Sequence, residues 1–319
     1  MRRLVSALLG LALLVALAWG AGALALRQGA DSAVKMLRDQ GRGDAGALTV
    51  AGFPSAFSVT LAAPKLHQGL IAWQGDWLRF SLPSYAPWRW RLDIGAAQSL
   101  RLGFLNYLIS GDDMRADLAF RPDTTLALEN FDFSTGQVSS AVDGGGKVFG
   151  AESLALSLTA AGGFDYRLEA RLAGFSLPTQ LQPAYALAEQ AEVLEARVLL
   201  GLSAPIDRNA QDVPPNLQTL TVEGATLRWG AAELHAEGAL HADATGLAEG
   251  QIALRSPDWR AVVDLALALR LVQPRFASTL ARDLEPLADA QGGMAVNLAF
   301  RSGQIWLGPV LLGPSPYLQ

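Results

Sequence analysis

The residues most able to do chemistry in this chain are few. There is no cysteine, which excludes disulfides, thiolate metal sites and cysteine nucleophiles. There are three histidines, His67, His235 and His241. His235 and His241 stand six positions apart, a spacing that puts both on one side of a straight strand. With Glu233, Glu237 and Asp243 beside them, the chemistry on offer would be imidazole–carboxylate binding of a divalent metal. The spacing argues against it. No HExxH run is present, and both histidines fall in the polar register opposite Leu234, Ala236 and Leu240. They read as solvated surface residues, with Gly238 between them marking a bulge or bend.

Two other motifs fail in the same way. The run "DGGGKVFG" (143–150) invites a phosphate-loop reading, but that loop needs glycine at 141 and Ser or Thr at 148. Ala141 and Val148 stand there, so the glycines read as a turn. There is no G-x-S-x-G nucleophile elbow. Asp112–Asp113 and other acids fall in loops, where carboxylates are common turn formers. No cofactor and no metal are expected, and the chain reads as non-enzymatic.

The elements that carry these residues are mostly strands. Period-two alternation dominates from residue 48 onward. In "WRWRLDI", Trp88, Trp90, Leu92 and Ile94 share one face, and Arg89, Arg91 and Asp93 share the other. The pattern recurs in "ESLALSLT", "YRLEARLAG", "LTVEGATLRW", "EGQIALRS" and "MAVNLAF", with Gly, Asp, Asn or Pro in most gaps. The expected fold is mainly β, a β-rich α+β chain. Its long antiparallel meander forms curled or packed sheets with one apolar face. Three stretches take helical spacing and are expected to cover the sheets. They are 183–196, rich in Ala and Glu; 256–272, with Ser256 as N-cap and Pro257 at the first helical position; and 274–290, with Phe276, Leu280, Leu284 and Leu287 on one face.

The N-terminus has a different character. Arg2 and Arg3 precede an uncharged run from Leu4 to Leu26. As a helix that run reaches about 34 Å, enough for a hydrocarbon core of about 30 Å. It predicts one transmembrane signal anchor over 1–28, then a linker or short amphipathic helix over 29–47. A β-rich extracytoplasmic domain follows over 48–319, with 48–180 and 197–319 as two candidate sheet halves. The leading arginines hold the N-terminus in the cytoplasm, so the body belongs in the periplasm, tethered to the inner membrane by a single pass. The alternative is a cleaved signal ending at Ala23–Leu24–Ala25 and a soluble periplasmic body.

Composition narrows the partners. Half the residues are hydrophobic, 17% are charged, and 25 Lys+Arg stand against 30 Asp+Glu. A nucleic-acid binder would carry a basic patch, so none is expected as a partner. The most distinctive stretch of the body is "WQGDWLRFSLPSYAPWRW" (73–90). Its bulky aromatics suit core packing, an apolar groove or a membrane-interface belt. The candidate groove or interface residues are Trp73, Trp77, Phe80, Tyr85, Trp88 and Trp90, with Trp229 and Trp306 farther along.

Three segments resemble a bacterial family known as domain of unknown function 2125. They are "VAGFPSAFSVTL" (50–61), "LQTLTVEGATLRWGAAELHAEGALHADATGLAEGQIALR" (217–255) and "FRSGQIWLGPVLLGPSP" (300–316). The resemblance covers most of the chain and brings no catalytic residues with it. A looser architectural similarity is to AsmA-like envelope proteins, which join one N-terminal anchor to long sheets forming an apolar groove. The expected function is therefore a membrane-anchored, non-enzymatic envelope protein whose sheets form an apolar core or groove for lipid or acyl chains. An envelope scaffold or assembly factor, binding a protein partner through its sheet surface, is the alternative.

Overall fold

A computed structural model describes residues 20, 22–24, 27–32, 34–177, 188–210, 212–270 and 277–318. The chain is mainly β, with large antiparallel sheets and few helices. It divides into two compact units, one of 1–122 with 133–146 and one of 123–132 with 147–319. The expected transmembrane run lies for the most part outside the described residues. Among the described residues no helix is long and apolar enough to cross a membrane. Residues 34–39 are helical. Gly22 lies against the ring of Phe57, where an added methyl would stand 2.7 Å from Cζ.

The first unit begins with β1 (Gly43–Asp44), β2 (Leu48–Ala51), β3 (Ala56–Ala62), β4 (Lys65–Gln68), β5 (Ile71–Gly75), β6 (Trp77–Pro83) and β7 (Arg89–Ile94). It continues through β8 (Ala97–Leu102), β9 (Leu105–Gly111) and β10 (Arg115–Phe120). After β11 (Leu128–Thr135), which runs across the unit boundary, comes β12 (Val138–Val142). Two strand sets result, β2-β3-β6-β7-β10 and β1-β4-β5-β8-β9-β12. In the first set the registers align Phe57 with Leu82, Val59 with Phe80, and Phe80 with Leu92. The alternating polar positions meet as Arg79 with Asp93 and Asp93 with Arg115. The sequence alternation thus becomes one apolar and one charged face.

The second unit holds β13 (Lys147–Ala151), β14 (Ser153–Gly162), β15 (Asp165–Phe175), β16 (Ala191–Leu202), β17 (Leu217–Trp229), β18 (Ala232–Ala242) and β19 (Ala248–Ser256). Helices α1 (Trp259–Ala268) and α2 (Ala277–Leu284) follow, then β20 (Met294–Arg301), β21 (Gln304–Leu307) and β22 (Val310–Pro314). Strands β14 to β22 pair in simple sequence order. Short turns join most of these antiparallel neighbours, while longer segments join β15 to β16 and β16 to β17, and the helices lie between β19 and β20.

The helical expectations need three corrections. The expected helix at 183–196 is not one where it can be seen: 191–196 open strand β16, and 183–187 lie outside the described residues. Alanine and glutamate are good helix formers, but intrinsic propensity is a weak determinant that tertiary context overrides. Here Ala191–Leu202 pairs with β15 on one side and β17 on the other, and that pairing outweighs propensity. The second helix starts later than Ser256, which ends β19. Asp258 is the N-cap, its carboxylate accepting from the backbone N–H of Arg260 and Ala261. Ser256 Oγ instead accepts from Asp258 N at 3.2 Å. The third helix is shorter than expected, α2 followed by a 3-10 turn at Glu285–Leu287, with Pro286 near the start of that turn. Phe276 lies outside the described residues.

The core of the second unit sits where the helices meet the sheet. Trp259, Val263, Leu267 and Leu284 form a buried cluster with Met294, Leu307 and Val310 packed against it. A second cluster, Leu240, Ala248 and Phe300, closes the far end of the same strands.

Candidate functional site

The eight aromatic residues singled out by sequence do not gather at one place. Trp73 lies on β5, and its indole donates to Gln98 Oε1 at 2.9 Å. Trp77 and Phe80 point to opposite faces of β6, as their odd spacing requires. Trp77 packs with the Arg79 guanidinium 5.3 Å from its ring. Phe80 meets Trp90 edge-on at 5.4 Å, and Trp90 meets Phe120 at 4.6 Å. The structure therefore assembles an aromatic row across β6, β7 and β10, adding Phe120, which the sequence did not mark. Tyr85 is 78% exposed in the β6–β7 turn, and Trp88 is half-buried just before β7. In the second unit Trp229 is fully buried, edge-on to Phe175, with its indole donating to Ala188 O at 2.8 Å. Trp306 is half-buried beneath Arg301.

The larger apolar surface is on the second unit and is built from leucine rather than tryptophan. The pairings align four rows across its strands. Leu154, Leu172, Leu194, Leu227 and Leu234 form the first. Leu156, Ala170, Ala196, Ala225, Ala236, Leu254 and Val296 form the second. Leu158, Leu168, Val198, Val222, Gly238, Ile252, Leu298 and Leu307 form the third. Tyr166, Leu200, Leu220, Leu240, Gly250, Phe300 and Ile305 form the fourth. No charged side chain interrupts any row.

Gly238 and Gly250 have positive φ, and a Cβ at either would fall 2.3 Å from a neighbouring carbonyl oxygen. Only glycine fits there. The register shift between Val222 and Ala225 falls opposite Gly238, as the bulge reading of that glycine expected.

The burial of these rows is uneven. Beneath α1 and α2 the helix residues Trp259 and Leu284 are 2% and 1% exposed and Val296 on β20 is 7% exposed, while Leu234, Leu254, Ile252 and Leu298 are half-buried. Along β14–β17 the large row residues stay half-buried, including Leu156, Leu168, Val198 and Leu220, and Leu194 is 39% exposed. Tyr166 is the exception, buried with its hydroxyl donating to Leu128 O and accepting from Ile206 N.

The opposite face of the same strands is a ladder of exposed ion pairs. Arg171–Glu195, Arg197–Glu169, Arg167–Glu223 and Arg255–Glu237 all bridge side chains there. Donating to the Glu223 carboxylate raises the Arg167 pKa above its ordinary value. His235 bonds to Thr226 Oγ1 and Glu233 Oε1, and His241 lies 3.9 Å from Glu249. Among the described residues no group of three His, Cys, Asp or Glu side chains can hold a metal.

In the first unit a cleft of about 600 Å³ is lined by Trp77, Arg79, Asp93, Asp112, Asp113 and Arg115. Arg115 is held by Asp93 at 2.8 Å, which raises its pKa.

The sequence reading missed the rows as a unit because alternation fixes which face a residue takes but not its neighbour across the sheet. The signal was present in the leucines of "SLALSLT", "YRLEARL" and "EVLEARVLLGL".

A search of curated proteins finds no match to this chain, and a search of solved structures finds none. A bacterial family described as "Uncharacterized protein conserved in bacteria (DUF2125)" matches residues 19–316. That span takes in the strands of both units and the helices between β19 and β20, and the chain belongs to this family.

Proposed function

We propose that this chain is a membrane-anchored, non-enzymatic protein of the bacterial envelope, and that the apolar face of its second unit holds the acyl chain of a lipid. The observation that carries the reading is the set of four uncharged rows that stay half-exposed along β14–β17. A face intended only as core would be closed along its whole width. At about 4.8 Å per strand, the six steps from β14 to β20 cover about 29 Å. An extended hydrocarbon chain laid across them gains about 0.8 kcal/mol for each methylene removed from water. The anchor in this reading is the run from Leu4 to Leu26, with a single pass through the inner membrane and the body in the periplasm. With a cleaved signal the same body is soluble there.

The test is to purify the full-length chain gently from a bacterial host, extract it, and identify bound molecules by mass spectrometry. Near-stoichiometric acyl-chain lipid is expected. A chain that emerges folded and empty from such a preparation would count decisively against the groove.

The edge of the same sheet favours a second reading, that of a scaffold binding a protein partner. The final strand β22 pairs only with β21 among the described residues, and its Leu311 and Leu312 are each 49% exposed. An exposed apolar edge strand is a template for strand addition. Cross-linking that captures one partner at β22 of a lipid-free chain would favour it.

A further inference from the structure

One end of the first unit is aromatic, cationic and exposed. Strands β3 and β6 pair from Ala62–Trp77 to Ala56–Pro83. Past Ala56 and Pro83 lie the β2–β3 and β6–β7 turns. They are joined where Ser84 N donates to Ser55 O and Ser84 Oγ donates to Pro54 O, each at 3.0 Å. Phe53 in the first turn is 52% exposed, and Tyr85 in the second is 78% exposed. Strand β10 ends at the same place, since Phe120 N donates to Trp88 O. Arg89 and Arg121 are exposed there, and neither forms an ion pair among the described residues. Farther along the same strands the arginines are held: Arg91 by Asp117 and Arg115 by Asp93.

Two contacts show where the N-terminal run meets this unit. Gly22 belongs to the uncharged run Leu4–Leu26 and lies against the ring of Phe57, the second residue of β3 and so close to these turns. Leu37 lies instead at Gly43, its Cβ 3.6 Å from where an added methyl would stand, and Gly43 pairs with Leu66 on β4. Going back along the chain from Leu37 to Gly22 therefore leads toward the turns. The chemistry of that end suits a bilayer surface. Tyrosine settles at the level of lipid headgroups, and arginine without a carboxylate partner can bind a phosphate through two donors. A larger apolar patch, with Leu70 and Phe104 at its crest, tops the β4–β5 and β8–β9 hairpins. It lies at the other end of the hairpin that β3–β4 and β5–β6 build, away from Gly22.

We infer that the turn end of the first unit docks on the headgroup layer of the bilayer that holds the anchor, with Phe53 and Tyr85 entering the interface and Arg89 and Arg121 binding lipid phosphate. The inference rests on the reading of Leu4–Leu26 as a membrane anchor. It adds which surface of the body the membrane covers.

The chain has no cysteine, so a nitroxide on one introduced cysteine reports one place. Ser55→Cys marks the turn end and Gln68→Cys the hairpin tip, and both positions are exposed. The full-length chain with either label is reconstituted in vesicles of phosphatidylethanolamine and phosphatidylglycerol. Flotation reads the anchor. Collision with oxygen, which concentrates in the bilayer, and with a nickel chelate present on both sides of the vesicle reads the docking. The label at 55 should lose nickel access and keep oxygen access, while the label at 68 stays open to nickel. Tyr85→Ser should return nickel access at 55 without changing flotation. A basic residue at an anionic surface is worth about fivefold in the docked population. Arg89→Gln with Arg121→Gln should therefore also return nickel access, again with flotation kept.

Equal nickel access at the two positions would overturn the proposal and leave the anchor reading standing. So would shielding at 68 instead of 55, which would give the bilayer to the Leu70–Phe104 patch, or shielding at 55 that survives both sets of substitutions. A full-length chain that does not float would overturn the anchor reading and the proposal together.

Discussion

Two ends of one sheet face carry the same pattern and meet different fates. At the β18–β20 end α1 and α2 cover the rows and bury Trp259 and Leu284 of the helices with Val296 of β20, while Leu234, Leu254 and Leu298 are half-buried. Along β14–β17 the same rows have no helix over them and stay half-buried, with Leu194 at 39% exposed. Alternation is equally strict in both regions, so patterning alone does not make a core. A covering element does, and α1 with α2 spans only part of the sheet. The difference separates leucines that hold the fold from leucines that are free to hold something else.

The largest effect should come from the closed end. Leu284→Ala removes a side chain that is 1% exposed and should cost about 2–5 kcal/mol, read as a lower midpoint in denaturant unfolding. The half-exposed rows should respond the other way round. Leu158→Asn with Leu168→Asn, a cross-strand pair, should cost only about 1–2 kcal/mol but lower lipid occupancy about tenfold by mass spectrometry. If this pair destabilises as much as Leu284→Ala while occupancy holds, the open face is core and the contrast is broken.

Smaller effects sharpen the contrast across the thickness of the sheet. Arg171→Ala removes an exposed ion pair with Glu195 and should change stability by less than about 0.5 kcal/mol, with lipid content unaltered. The smallest effect sits in the β18–β19 turn. There the Thr245 hydroxyl and backbone N–H groups, including that of Leu247, bond to Asp243 and lower its carboxyl pKa. Because the folded pKa is the lower one, the contribution is complete above the unfolded pKa and is lost as pH falls through the folded value. Thermal melts of Asp243→Ala should therefore lie a small, constant interval below the parent at neutral pH. That interval should narrow below about pH 4.

Much of the fold was legible in the sequence, and the reasons are particular. Strict alternation in "WRWRLDI" and "YRLEARLAG" marked β7 and β15 because a period of two has no helical counterpart. The Ala- and Glu-rich stretch at 183–196 misled because composition favours a helix, whereas Glu195 and Arg197 are there to meet Arg171 and Glu169 across the sheet. Asp258 displaced Ser256 as the cap because β19 runs on through Ser256. Tryptophans were chosen as site candidates for their size, yet Trp229 proved to be core and Trp77 faces away from Phe80. The leucine rows became visible only through the register, since Leu156, Ala196 and Leu254 are far apart in sequence. That the Trp259 indole N–H has no acceptor among the described residues left no trace in sequence, because it depends on which groups the fold brings beside it.

The central claim is that the half-exposed rows hold an acyl chain. A fatty acid bearing a terminal diazirine, incorporated into lipid by the expressing cells, tests it directly: after irradiation, the labelled residues of the purified full-length chain are mapped by mass spectrometry. The account predicts adducts on row residues of β14–β17, among them Leu156, Leu168, Val198 and Leu220. Adducts confined to residues 4–26, or falling on the Arg171–Glu195 face, would contradict it.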